Sequence, residues 1–365
     1  MRAARALYLV LSLAGSALLA GCDTVGYYYQ SVSGHLSLMA QRESIDQAID
    51  NARQAHNDKL AKRLEDARSI RIYASRELGL PDNGSYRVYA NLKRPFAVWN
   101  VFAAPELSVK LKEWCFLVVG CVTYRGYYDR NAAMAYADTL RAQGLDVDVA
   151  GIPAYSTLGY FDDPLLNTFV GLPEGELARL IFHELAHQVV YAKGDTAFNE
   201  SFATAVETIG VERWLADAAT PEIRAEYATY DARRVQFRAL LLEYRNRLEA
   251  LYASPVSDDE KRAGKRAIFA SLQADYTKLK ASWGGYTGYD RWFAQPLSNA
   301  HLGAVASYLE WVPAFTALYH RDGGDWARFY DDVKAMVRES KLQRESALRL
   351  LEPSAMGSSE DIRQK

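Results

Sequence analysis

Residues 181–191 read Ile-Phe-His183-Glu184-Leu-Ala-His187-Gln-Val-Val-Tyr, two imidazoles four positions apart with a carboxylate directly after the first. On a helix, positions i and i+4 sit about 40° apart around the axis, so both rings face one metal ion. Glu184 lies about 100° from His183, within reach of a water activated at that ion but not of the ion itself. Such a set does metal-assisted hydrolysis, in which a cation polarises the scissile bond and a carboxylate takes a proton from the attacking water. With 6 His and 21 Glu among 365 residues, random placement yields this pattern about 0.006 times per chain. Two solvated histidines on an ordinary helix are therefore the weaker reading.

A catalytic ion needs a third protein ligand. Glu200 and Glu207 stand downstream in Phe198-Asn199-Glu200-Ser201-Phe202-Ala203-Thr204-Ala205-Val206-Glu207. Seven residues apart, they share one helix face within about 20°. Glu200 follows a short loop and can return to the end of the preceding helix. Glu207, about 10 Å further along, cannot bind the same ion if Glu200 does, but can orient a ligating imidazole. Asp195, inside the loop, is a rival ligand.

The motif must be carried by a helix. Pro173 opens one, with Glu174 and Glu176 in its first turn where carboxylates suit the dipole, and Lys193-Gly194 closes it after about 20 residues. Upstream, Ser44-x-x-Gln47 starts a helical stretch in 34–78 that Gly79-Leu80-Pro81 ends. Residues 86–128 alternate as an antiparallel sheet, a helix at roughly 130–143 follows, and Val147–Val149 and 151–161 read as extended. After Pro173 the chain is helical: a charged hairpin over 221–282, started by Thr220-Pro221 and re-capped at Ser257-x-x-Glu260, then helices at 299–320 and 325–349. The expectation is an α+β fold: N-terminal helices with a mixed or antiparallel sheet in 34–172, and a mainly helical part in 173–352 bearing the site. Residues 353–365 form a polar tail.

The charge of −2 gives no electrostatic case for nucleic acid. Arg2 and Arg5 precede an apolar run, Ala6–Ala20, too short to span a bilayer as a helix. It ends Leu19-Ala20-Gly21-Cys22, which resembles a bacterial lipobox and implies a signal peptide over 1–21 with lipidation of Cys22. Residues 22–33 are then a tether, and the protein sits on the periplasmic face of an inner or outer membrane. Two cysteines remain, Cys115 and Cys121, either a local disulfide closing a small loop or two buried thiols.

His183-Glu184-x-x-His187, followed by Asn199-Glu200-x-Phe202-Ala203 with Glu207 seven beyond, resembles the gluzincin pattern of zinc aminopeptidases. With the lipobox, the Cys115–Cys121 segment and Tyr124-Arg125-Gly126-Tyr127, the chain is similar over most of its length to predicted bacterial lipoprotein aminopeptidases. The resemblance implies one Zn²⁺ held by His183, His187 and Glu200, with Glu184 as catalytic base and a peptide or protein substrate. A downstream tyrosine in gluzincins suggests Tyr308 as the oxyanion donor, with His301 second. Two features depart from that pattern: the gap from His187 to Glu200 is short, and no Gly-Ala-Met-Glu-Asn segment is present to anchor a free amine. Residues 149–161, with Tyr155 and Tyr160, are candidates to line the substrate cleft, and Asp162-Asp163 to meet an amine. The competing readings are a zinc endopeptidase acting on envelope proteins and a non-catalytic lipoprotein with a structural zinc, Asp195 filling the fourth position.

Overall fold

The computed structural model describes residues 25–116, 119–154, 156–306 and 310–351. Cys22 and its leader, Tyr155, Tyr308 and the tail 353–365 lie outside them. Helix α1 covers 25–39. Then come β1 (Arg42–Ser44), α2 (Ile45–Gln54), α3 (Asp58–Leu78), β2 (Val88–Ala90), β3 (Val98–Pro105), β4 (Trp114–Phe116), β5 (Gly120–Val122) and β6 (Arg125–Tyr127). Helix α4 (Arg130–Ala142) and strands β7 (Leu145–Ile152) and β8 (Leu165–Leu166) lead to α5 (Glu174–Val189), α6 (Thr196–Asp217), α7 (Pro221–Ala253) and α8 (Asp258–Ser282). The short α9 (Asp290–Phe293) is followed by α10 (Asn299–Ala306), α11 (Val312–Arg321), α12 (Trp326–Val337) and α13 (Lys341–Leu351). The fold is α+β, with small sheets first and helices after.

Local chemistry sets the helix ends. Ser44 Oγ accepts from the Gln47 N–H at 3.2 Å, and Ser257 with Glu260 forms a reciprocal capping box on α8. Pro221 opens α7, and Gly79, at φ 63°, turns α3 off in the left-handed conformation.

The sheet that matters for the site has the order β6-β3-β7, antiparallel throughout. Its central strand β3 obeys the two-residue period. Trp99, Val101 and Ala103 pack on α4 through Ala133, Ala137 and Leu140. The alternate residues face the other way: Phe102 and Ala104 pack with Leu111 and Ala300, while Val98 and Asn100 wall a cavity. The hairpin β4–β5 is closed by a Cys115–Cys121 disulfide between directly paired residues. The largest core joins α2 and α3 to α5, α6, α11 and α12, so side chains from both sides of Pro173 share it.

Five sequence expectations change. The stretch 25–33, expected as a tether, is helical: Tyr27 stacks on Phe116 at 5.1 Å, and Gln30 donates to the Gly126 carbonyl at 3.2 Å and accepts from the Tyr128 N–H at 3.1 Å. Helix α5 stops at Val189 rather than Gly194, because Val190 turns extended (φ −145°) and the Asn199 side chain holds the next stretch. The extended run over 151–161 ends at Ile152, since Pro153 has no N–H to continue a ladder. The helix read over 299–320 is two helices: Pro313 lies in the first turn of α11, and the Trp311 N–H donates to Ser201 Oγ at 3.1 Å. The helix read over 325–349 is also two, α12 and α13, because Ser340 Oγ accepts from the Gln343 N–H at 3.4 Å and starts a new helix.

Candidate metal centre

Helix α5 buries Leu177, Ala178, Ile181, Phe182 and Leu185, which turns the 183/184/187 side toward the cavity. Helix α6 is enclosed on nearly all sides. The two helices come close at Gly210, where an added Cβ would stand 2.8 Å from Leu78 and 3.2 Å from Phe182. The connection between them is tight, as the short spacing demands. Asn199 Oδ1 accepts from the Ala192 N–H at 2.7 Å and its amide donates to the Ala192 carbonyl at 2.9 Å, pairing the loop as a strand neighbour would. Asp195 caps α6 and is bound by Arg344 at 2.8 and 3.2 Å, facing away from the histidines. It is neither a rival nor a fourth ligand.

His183, His187 and Glu200 bring one donor atom each into a single group. The Nε2 atoms of the histidines are 3.2 Å apart, and Glu200 Oε2 is 3.3 Å from His183 Nε2 and 3.7 Å from His187 Nε2. A tetrahedral ion with bonds of about 2.0–2.1 Å requires ligand separations of about 3.3–3.4 Å. The residues therefore fit such an ion, with three protein donors and one open corner. Glu207 Oε2 lies 2.9 Å from His183 Nδ1, on the side of the ring away from Nε2, while its other oxygen pairs with Arg179.

Without a cation this is a coupled cluster. Burial would lower the His183 pKa, but hydrogen bonds to Glu200 and Glu207 outweigh it and push it up to about 10. Burial would raise the two carboxyls, but the charges and hydrogen bonds of His187 and His183 hold Glu200, and Arg179 with His183 hold Glu207, each near about 2. A divalent ion held there would take the place of that shared proton. Glu184 differs: burial raises its pKa against the pull of the histidines, and among the described residues its carboxylate has no hydrogen-bond partner.

The group opens on a cavity of about 630 Å³ bounded by α5, α6, the Val98–Asn100 face, α1 and the β4–β5 tip. That tip is docked onto the loop after α5: the Gly194 N–H donates to the Val119 carbonyl at 3.1 Å, and a Cβ on Gly120 (φ 80°) would meet Gly194 N at 2.7 Å. Two tyrosines missed in the sequence face the site. Burial and the nearby Glu200 raise the pKa of both, to about 12 for Tyr191, whose hydroxyl donates to Val119 O at 3.3 Å. The Tyr124 hydroxyl also feels Glu184 and Tyr191. Tyr124 belonged to the segment quoted for the resemblance, which was its one available signal. Tyr160 is 72% exposed and off the cavity lining, where Ser156 and Leu158 stand instead. His301 is buried beside Asp148 at 3.2 Å and bonded to Ser298, away from the cavity.

Asp163 is buried, accepts from the Thr157 N–H at 2.9 Å and does not line the cavity, so it is not placed to meet a substrate amine. Burial pushes its carboxyl up to about 7, opposed by the Thr157 hydrogen bonds and reinforced by Glu184 and Asp162. An unfolded Asp titrates near about 3.9, so the folded state favours the protonated form. The stability this contributes is full below about pH 4 and is lost as pH rises through about 7. The wild-type Tm should therefore fall, relative to that of Asp163→Asn, between pH 4 and 8 in circular-dichroism melts. Parallel curves would mean that the folded carboxyl titrates normally.

Two packed helices present His-Glu-x-x-His and a downstream Glu to a cavity, a group able to hold a metal ion with a carboxylate beside it, as a hydrolase of the metal-assisted class requires. The particular family follows from comparison: the family model described as "Putative aminopeptidase" matches residues 26–348, and the chain belongs to that family. No curated protein and no solved structure matches the chain.

Proposed function

We propose that the chain is a zinc aminopeptidase held by a lipid on Cys22 to a bacterial membrane, acting on peptides at its periplasmic face. The observation that supports the hydrolase most directly is the donor triangle with edges of 3.2, 3.3 and 3.7 Å. Two imidazoles and a carboxylate with an open corner are the donor set of catalytic zinc. Bound there, zinc polarises the scissile carbonyl and acidifies a water. Glu184 accepts the water's proton and returns it to the departing amide nitrogen. The Tyr124 and Tyr191 hydroxyls are the groups at hand to donate to the developing oxyanion.

The anchor is supported by α1 as well as by the Leu19–Cys22 motif. From 25 to 41 the chain has no Asp, Glu, Lys or Arg. Val25, Tyr29, Val32 and Leu36, at i, i+4, i+7 and i+11, are 69, 74, 58 and 59% exposed. An uncharged helix with an apolar stripe turned outward, three residues beyond an acylated thiol, suits the headgroup region of a bilayer.

A second reading, an endopeptidase, has one observation in its favour: Glu200 and Glu207 are both engaged and Glu184 serves as the base, leaving no further carboxylate among the described cavity-lining residues to hold a free amine. Amino-acid anilides and peptides, free or acetylated at the amine, separate the two. An aminopeptidase turns over the free forms and not the acetylated ones; equal rates establish the endopeptidase. In the same preparation Cys22→Ser should move the protein from the membrane to the soluble fraction, and its retention in the membrane would refute lipid anchoring.

A further inference from the structure

Arg238, on α7, is a cavity-lining cation with no counterion among the described residues. Its neighbours show how thoroughly the other charges are matched. Arg234, one turn earlier, holds both oxygens of Glu176 at 2.7 and 2.8 Å and Asp231 at 2.5 Å. Arg179 pairs with Glu207, whose second oxygen is taken by His183. Among the described residues Arg238 closes no hydrogen bond and no ion pair, although it feels the charge of Glu207. Buried Phe237 and Leu241 on either side fix its helix in the wall. Burial and the Arg179 and Arg234 charges lower its pKa, yet an arginine so placed keeps its proton at neutral pH.

The charge balance of the loaded site has one positive excess. Glu184, Glu200 and Glu207 face Arg179, Arg238 and a divalent ion, and without Arg238 the set is neutral. A wholly neutral peptide would leave a half-buried guanidinium unpaired, an unfavourable state that an anionic group relieves. Arg238 lines the same cavity as the three donor residues and stands near enough to Glu207 to feel its charge.

We propose that Arg238 binds a carboxylate of the substrate through its guanidinium fork, so that peptides bringing a carboxylate into the cavity are preferred. The proposal rests on the peptidase reading and adds a substrate class to it. Two sources share the chemistry: the terminal carboxylate of a short peptide, or an Asp or Glu side chain near the cleaved bond. An Arg–carboxylate pair is directional and charge-assisted, which sets the expected discrimination at about 10–100-fold.

The test uses the zinc-loaded protein and a tripeptide series: free acid, carboxyl-terminal amide, and Glu-to-Gln replacement within each. The wild type should prefer the carboxylate-bearing member about 10–100-fold in kcat/KM, the difference lying in KM. Loss on amidation identifies the terminal carboxylate; loss on Glu-to-Gln replacement identifies the side chain. Arg238→Gln should abolish the preference, and Arg238→Lys, which keeps the charge but not the fork, should retain part of it. No preference in the wild type, or an undiminished one in Arg238→Gln, overturns the proposal. If the wild type cleaves none of these peptides, the peptidase reading fails on its own, and calorimetry with the zinc-loaded Glu184→Gln protein decides the subsite. Tighter binding of acid than amide, abolished by adding Arg238→Gln, sustains it; equal binding refutes it.

Discussion

Glu184→Gln should keep its metal and lose turnover by about 10²–10⁴-fold, the usual contribution of a positioned general base. The substitution preserves shape and removes only the capacity to accept a proton. Glu184 takes no part in the donor triangle of His183, His187 and Glu200, so metal content should match the wild type. Its carboxylate, buried in the cavity and free of hydrogen bonds among the described residues, is raised in pKa by that burial, as suits a group that must take a proton and give it back. Metal analysis and peptide hydrolysis on one preparation check both halves. A variant that retains zinc and full activity would remove Glu184 from the chemistry.

Glu200→Ala should strip the metal. Structural zinc sites with four ligands hold roughly 10–16 kcal/mol, about 3–4 kcal/mol for each ligand, so losing one weakens binding by about 10²–10³-fold. The loss also leaves His183 and His187, only 3.2 Å apart at Nε2, without the carboxylate that faces both. Glu207→Gln makes the contrast. Its carboxylate touches Nδ1 of His183, on the far side of the ring from the donor triangle, so affinity should fall only about 10–100-fold. Titration with a competing chelator measures both. The reverse order, with Glu207 the more damaging, would show that the wrong carboxylate was assigned to the ion.

Much of the centre was legible because its logic is local. The four-residue spacing of His183 and His187 and the seven-residue spacing of Glu200 and Glu207 are helical arithmetic, and helices stand at both places. Even the short loop could be anticipated as tight, although not that Asn199 would grip Ala192 to make it so. The missed residues arrive from other elements. Tyr124 comes from the β5–β6 connection and Arg238 from the middle of a 33-residue charged helix, where nothing in the pattern sets it apart from Arg233 or Arg234. Only the tertiary arrangement shows that its neighbour Arg234 is paired while Arg238 has no partner among the described residues. Element boundaries failed for a similar reason: Val190 and Trp311 leave helical geometry where loop partners replace the next helical bond. The first helix was hidden by composition, since tyrosine, serine and glycine read as linker until Tyr27 finds Phe116 and Tyr127.

That first helix serves two sides at once. Tyr27, Tyr28 and Ser31 border the cavity, while Tyr29, Val32 and Leu36 point outward. Trimming the amino terminus to gain an easily handled soluble preparation would therefore breach the reaction chamber along with removing its greasy exterior. Shortened versions that begin at the first strand would be well behaved in a column and poor witnesses to the enzyme's selectivity.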